Sequence, residues 1–372
     1  NEGRADIFVN SFINGTNWKD EVTAIDRMAK LTKEDIVAFA DKYLKEDNYA
    51  VVYKKQGKDP NEKKMTKPEI TPIVSNRDVA SPFLTSIQEN AVKPIEPVFL
   101  DFKKDMSQLT AKSDIPVLYK QNTTNDLFQL IYVFDMGNNN DKALGTAFDY
   151  LEYLGTSDMT PEELKSEFYR LACTFYVSPG NERTYVVLSG LNENMPAAMQ
   201  LFEKLLADAQ ANKEAYNNLV GDILKARADA KLNQGQNFSR LMNYAMYGPK
   251  SPATNLLTEA ELASMNPQEL VDRIHNQNNY KHRILYYGPS SSKDLLATID
   301  QYHQVPATLK DIPAGNEFSY LETPATKVLV APYEAKQIYM AQISNLDKKY
   351  DPAIEPTREL YNEYFGGGMN SI

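Results

Sequence analysis

A net charge of −10 spread over 372 residues leaves no basic cluster of the kind that nucleic-acid phosphates require. With 42% apolar and 24% charged residues, the chain has the balance of a folded protein of two or three domains, and no run of eighteen apolar residues occurs to span a membrane. Cys173 is the only cysteine, which excludes an internal disulfide and a cysteine-based zinc site and leaves the redox compartment open.

The opening "NEGRADIFVNSF" reads as the inside of a helix and is expected to belong to a longer protein. Residues 17–57 then read as helix, helix, strand. "TKEDIVAFADKYL" starts with Thr32 and Asp35 at capping-box spacing, and "YAVVYKK" follows as a β-rich strand. Residues 58–97 hold six of the twenty prolines without a sustained period, and the Lys-rich "KDPNEKKMTKPE" within them reads as a solvated segment. The whole stretch is expected to be an extended linker.

From residue 98 helices and strands alternate. "IPVLYKQNTTNDLFQLIYVFDMG" reads as a hairpin, with strands at 117–121 and 127–135 around "NTTND". Next comes "GTAFDYLEYLGTSDMTPEELKSEF". It holds an amphipathic helix, a Gly155-Thr156 turn and a second helix with an N-cap at Thr160, proline at Pro161 and an acid at Glu163. A second hairpin, "CTFYVSPGNERTYVVLSGL", turns at Pro179-Gly180-Asn181-Glu182. Helices at "PAAMQLFEKLLADAQ", "KEAYNNLVGDILKARADAKL", "FSRLMNYAMYG" and "NPQELVDRIHNQ", the strand "HRILYYG" and the helix "KDLLATIDQYH" complete this part. Past a Pro/Gly boundary at 305–315, "KVLVAPY" and "QIYMAQISNL" are expected as strands and "YNEYFGGGMNSI" as a helix with a flexible glycine end.

An internal repeat links the two ends. "LTKEDIVAFADKYLKEDNYAVVYKK" resembles "MNPQELVDRIHNQNNYKHRILYYGP" in order and spacing: a capping residue, an acid three later, an apolar pair, Asn-Tyr, then an apolar strand. The expected organisation is therefore the tail of one unit at 1–57, a proline-rich linker at 58–97, a complete unit at 98–305, and the start of another at 306–372.

In order and spacing these segments resemble the pitrilysin/insulinase-type zinc metallopeptidases, the inverted zincins. The resemblance covers nearly the whole chain and is carried by the helix, Gly-Thr, capped helix and hairpin order, by "LSGLNENMPAAMQLFEKLLAD", and by the glycine-rich "YNEYFGGGMNSI". It implies an α+β fold: tandem repeated units of antiparallel sheet packed with helices, as in the LuxS and processing-peptidase-like metallopeptidases. It further implies that two halves enclose a peptide, and that this chain is a non-catalytic C-terminal portion, with zinc held in an N-terminal catalytic half.

The family's active unit carries H-x-x-E-H on its first helix, with two zinc-binding histidines and a general-base glutamate. Counted back from Gly155-Thr156, those positions fall on Thr146, Asp149 and Tyr150. Thr and Tyr are poor zinc ligands at neutral pH, so no metal, cofactor-binding or catalytic residue is expected here. His275, His282 and His303 show no ligand spacing and are expected to be satisfied or solvent-facing. Ser189-Gly190 and Ser290-Ser291-Ser292 lack the nucleophile-elbow context, and Gly366 to Ser371 lack the Lys-Ser/Thr of a phosphate loop. The expected partners are the catalytic half and a peptide substrate, with a homo-oligomer possible; the compartment stays open, leaning to a periplasmic or extracytoplasmic setting. The alternative is a scaffold or peptide-binding relative in which no unit is active.

Overall fold

The computed structural model describes residues 2–55, 57, 65–72, 79–335, 337–345 and 350–367. The chain divides into two compact units, Asn1–Pro94 and Ile95–Ile372. Gly368 to Ser371 of the glycine run lie outside the described residues, as does most of "KDPNEKKMTKPE".

The first unit is helical: α1 (Glu2–Asn14), α2 (Trp18–Val22), α3 (Ala24–Met28), α4 (Lys33–Tyr43) and α5 (Pro82–Gln88). The Thr32–Asp35 capping box forms at the start of α4 as its spacing predicts. α5 corrects the expectation of an extended linker: Ser81 accepts from the Leu84 N–H at 3.1 Å and Pro82 sits in the first turn, enough to start a short helix. Ser11 is the one buried residue among those described in this unit. Phe12 and Ile13 of α1 and Ile36 and Phe39 of α4 leave their apolar faces uncovered.

The second unit is built on a six-stranded sheet: β1 (Ser107–Ala111), β2 (Ile115–Gln121), β3 (Leu127–Phe134), β4 (Cys173–Pro179), β5 (Thr184–Leu191) and β6 (Arg283–Gly288), in the order β1-β2-β6-β3-β5-β4. All pairs are antiparallel except β2 with β6. Between the strands run α6 (Leu144–Leu151), α7 (Pro161–Arg170), α8 (Met195–Asp208), α9 (Lys213–Lys231), α10 (Gln234–Tyr247), α11 (Glu259–Ser264) and α12 (Pro267–Asn276); α13 (Ser292–Tyr302) and α14 (Glu355–Gly366) follow β6. The core joins Phe128, Leu130, Tyr132 and Phe134 of β3 to Phe202 and Leu205 of α8, Leu270 and Ile274 of α12, and Leu295 and Ile299 of α13. This is the α+β fold the sequence predicts.

The first expected hairpin does not form. β6 enters between β2 and β3, pairing parallel with one and antiparallel with the other. The loop between β2 and β3 straddles it, a gap of about 10 Å at two strand spacings. Asn122 holds that loop: its Nδ2 donates to Asn125 Oδ1 and to the Leu127 carbonyl, and its backbone N–H reaches Gly288 O at 2.8 Å. The second hairpin forms as predicted, with Pro179 opposite Thr184.

Residues 49–55 and the expected strands at 327–333 and 337–346 carry no strand where described. A strand requires partners for its N–H and C=O groups. β6 finds two, whereas the repeat's other copy at 49–55 finds none among the described residues.

Candidate functional site

α6 stands where the resemblance puts a catalytic helix. Its apolar spacing turns Leu144, Ala147, Phe148 and Leu151 into the core, against α12 and β4. Tyr150 is fully buried with them. Its hydroxyl donates to the Asn212 carbonyl at 2.5 Å and accepts from the Asn212 N–H at 2.7 Å, so the hydroxyl is committed as donor and as acceptor to the backbone of one residue. Thr146 is half-buried and Asp149 exposed. Partial desolvation, then the neighbouring charge of Glu152, raises the Asp149 carboxyl above its ordinary value, the reverse of what an adjacent cation would do. The three side chains do not fit a zinc ion. Among the described residues no three His, Cys, Asp or Glu side chains gather as a metal site.

The helix ends in a tight turn. Gly155 leaves no room for a Cβ, which would lie 2.3 Å from the Met159 carbonyl; the Thr156 N–H binds that same carbonyl at 2.9 Å. Thr160 and Glu163 then form the predicted capping box that launches α7. Replacing Tyr150 with Phe strands the Asn212 N–H, whereas the Asn212 carbonyl keeps its bond from the Tyr216 N–H, and we expect a loss of about 1–3 kcal/mol, measured by chemical denaturation, with the fold retained.

An apolar cleft of about 340 Å³ lies between these two helices and β4. Leu151, Phe168 and Leu205 form its floor, and the exposed rings of Tyr169 and Tyr176 stand at its rim. β4 is the last strand of the sheet, and among the described residues no strand pairs with its outer edge.

The structure also assembles a cluster that no sequence spacing announced. Glu203 of α8 is buried at the centre. Its Oε1 accepts from the Tyr132 hydroxyl at 2.9 Å and from His303 Nδ1 at 2.6 Å, and its Oε2 from Asn278 Nδ2 at 2.9 Å and the Gln304 N–H at 3.0 Å. His303 Nε2 meets His282 Nε2 at 2.9 Å, and His282 Nδ1 faces the Tyr280 carbonyl at 2.7 Å. That carbonyl calls for a proton on His282 Nδ1, which leaves His282 Nε2 to accept from His303 Nε2. Burial first, and the facing His303 second, push His282 down to about 4. Burial and the Glu203 charge raise the Tyr132 phenol well above its usual range. The expected satisfied histidines are found here; their meeting is not legible in the sequence. His275 sits apart, with Nε2 3.1 Å from the Ala209 carbonyl.

Among solved structures the chain is similar to the periplasmic protease PqqL from Escherichia coli, with a TM-score of 0.53 at 14% identity, over 82% of this chain and 32% of PqqL. It is also similar to a mutant of the ferredoxin protease FusC in complex with Arabidopsis ferredoxin, with a TM-score of 0.51 at 10% identity, over 86% of this chain and 37% of FusC. A peptidase M16 inactive domain from Pseudomonas fluorescens matches at a TM-score of 0.47, too distant to add weight. The chain spans about a third of the length of PqqL and FusC. No family model matches it, and no curated protein matches it in sequence. What these likenesses define is a fold: the chain has an α+β architecture similar to that of the matched parts of PqqL and FusC. Among the described residues no helix is long and apolar enough to cross a membrane.

Proposed function

We propose that this chain is the non-catalytic portion of a zinc metalloendopeptidase, where it helps form a peptide-enclosing chamber and shapes which peptides are cut. Zinc and catalytic residues belong, on this reading, to an N-terminal catalytic half of the same protein, in a periplasmic or extracytoplasmic setting. The observation that carries it is the environment of Tyr150. A buried side chain at a position of the zinc motif is spent on the backbone of Asn212, so α6 works as packing rather than as chemistry.

Two further features support the reading. The apolar cleft beside the free edge of β4 suits an extended peptide, whose backbone would pair with the strand while a side chain enters the cleft. The uncovered apolar faces of α1 and α4 suit burial by further protein, and the isolated chain is expected to self-associate through them.

Tyr176, about half exposed at the rim of the cleft, offers a test. In the full-length gene product, Tyr176→Glu should raise KM for a long peptide about tenfold, or 1.4 kcal/mol, and leave a short peptide unaffected. Identical kinetics on both would remove the cleft from substrate selection.

A further inference from the structure

Asn14 is the last residue of α1, and Gly15 follows it in the turn to α2. Gly15 takes φ near +64°, which ends the helix, and nothing lies within 4 Å of where a Cβ would stand. Its N–H reaches the Phe12 carbonyl at 3.3 Å, longer than an ordinary bond of this kind. Asn14 is exposed, and among the described residues nothing binds its side-chain amide. A side-chain amide carbon therefore stands next to a backbone nitrogen that is neither held in a helix ladder nor shielded by a side chain. Asn10-Ser11 supplies the contrast. Ser11 is buried inside α1, where each N–H is bound to the carbonyl four residues back.

We propose that Asn14-Gly15 is a site of spontaneous covalent modification, and that the modification uncouples α1 from α2. The Gly15 nitrogen attacks Asn14 Cγ and forms a C–N bond. The Gly15 N–H proton and the Asn14 amino group leave together as ammonia, and a succinimide ring remains. Water then opens the ring. Opening at Cγ gives aspartate; opening at the former main-chain carbonyl gives isoaspartate, whose backbone runs on through Cγ. One water is consumed and one ammonia released, with nothing oxidised or reduced.

Both products disturb the same corner. A carboxylate at the C-terminal end of α1 meets the unfavourable end of the helix dipole. It also joins a turn that already holds Glu21, whose Oε1 accepts from Thr16 Oγ1 at 2.6 Å. Isoaspartate adds one backbone atom before Gly15, so the Thr16 N–H loses its 3.0 Å bond to the Ser11 carbonyl and Ser11 Oγ its 3.1 Å bond to the Thr16 carbonyl. Those bonds set α2 against α1 and hold Trp18 flat on Phe8, with ring centroids 4.3 Å apart. Trp18 is the only tryptophan, so its emission reports this corner. The proposal is independent of the reading of the chain as part of a peptidase.

The test holds the purified chain in mildly alkaline buffer made with heavy-oxygen water and follows it by peptide mass spectrometry and tryptophan emission. Asn14 should exchange its amide nitrogen for a heavy oxygen and give two separable products, while the Asn10 amide persists. Trp18 emission should shift to the red in step with the conversion. Asn14→Gln should begin with the same emission and show neither change, because its longer side chain closes the ring far more slowly. An Asn14 amide that survives the incubation, conversion of Asn10 at the same rate, conversion of Asn14 without movement of the Trp18 emission, or the same emission drift in Asn14→Gln would each overturn the proposal.

Discussion

Glu203→Leu should lower stability by about 3–5 kcal/mol, because several buried polar groups lose one shared partner at once. The substitution removes the carboxyl bound by Tyr132, Asn278, the Gln304 N–H and His303 together, and leaves those buried groups without their partner. For a unit of this size the melting temperature should fall by roughly 6–20 °C. The double variant Glu203→Leu/His303→Leu should recover part of the loss, since one of the stranded polar groups goes with the histidine. A shift of under a degree in the single variant would mean that the cluster does not hold α8 to the turn after α12 and to the end of α13.

The same cluster sets a pH dependence. His282 is pushed from its ordinary 6.5 down to about 4, with His303, Glu203 and Tyr132 around it. Between these values the unfolded chain takes up a proton that the folded chain refuses. The contribution is therefore complete above about pH 6.5 and is lost as pH falls towards 4, amounting to about 3 kcal/mol. Denaturation midpoints recorded across that window should fall steadily, and His282→Phe should flatten the slope.

Gly190→Ala should be the most damaging single-methyl change, at roughly 3 kcal/mol or more. Gly190 lies at the end of β5 with φ near +152°, where residues with a Cβ are strained. A Cβ there would come within 2.4 Å of the Ala172 carbonyl and 2.6 Å of the Cys173 Cα and Sγ. All three belong to the turn into β4 and to β4 itself, so relief requires parting the edge strand from β5. We expect poor soluble yield or a markedly lower melting temperature by calorimetry. Wild-type stability would show that the edge strand yields freely, which also bears on its suitability as a peptide-pairing edge.

Local signals were legible in the sequence because they act locally. The boxes at Thr32/Asp35 and Thr160/Glu163 need only their own turn, and the β4–β5 hairpin needs only its four-residue corner. Position in the sheet is a different matter. β2 and β3 read as a hairpin, and nothing near them indicates that β6, more than a hundred residues later, lies between them. β1 carries little local signal, since "SQLTA" is short and has little apolar alternation. The segment at 49–55 has a strand's composition and no neighbour to pair with. At the candidate site, Thr146, Asp149 and Tyr150 could be placed by counting from Gly155-Thr156, whereas the bond from Tyr150 to Asn212 spans 62 residues. The pairing of His303 with Glu203 spans 100.

The central claim is that this chain supports a zinc peptidase without performing its chemistry. The most direct test measures chelator-sensitive cleavage of a quenched fluorescent peptide by the full-length gene product and by this chain alone, with zinc supplied to both. The account predicts cleavage by the full-length product that chelator abolishes, and none by the isolated chain. Zinc-dependent cleavage by the isolated chain, or an inert full-length product, would contradict it, the second outcome pointing to a scaffold in which no unit is active.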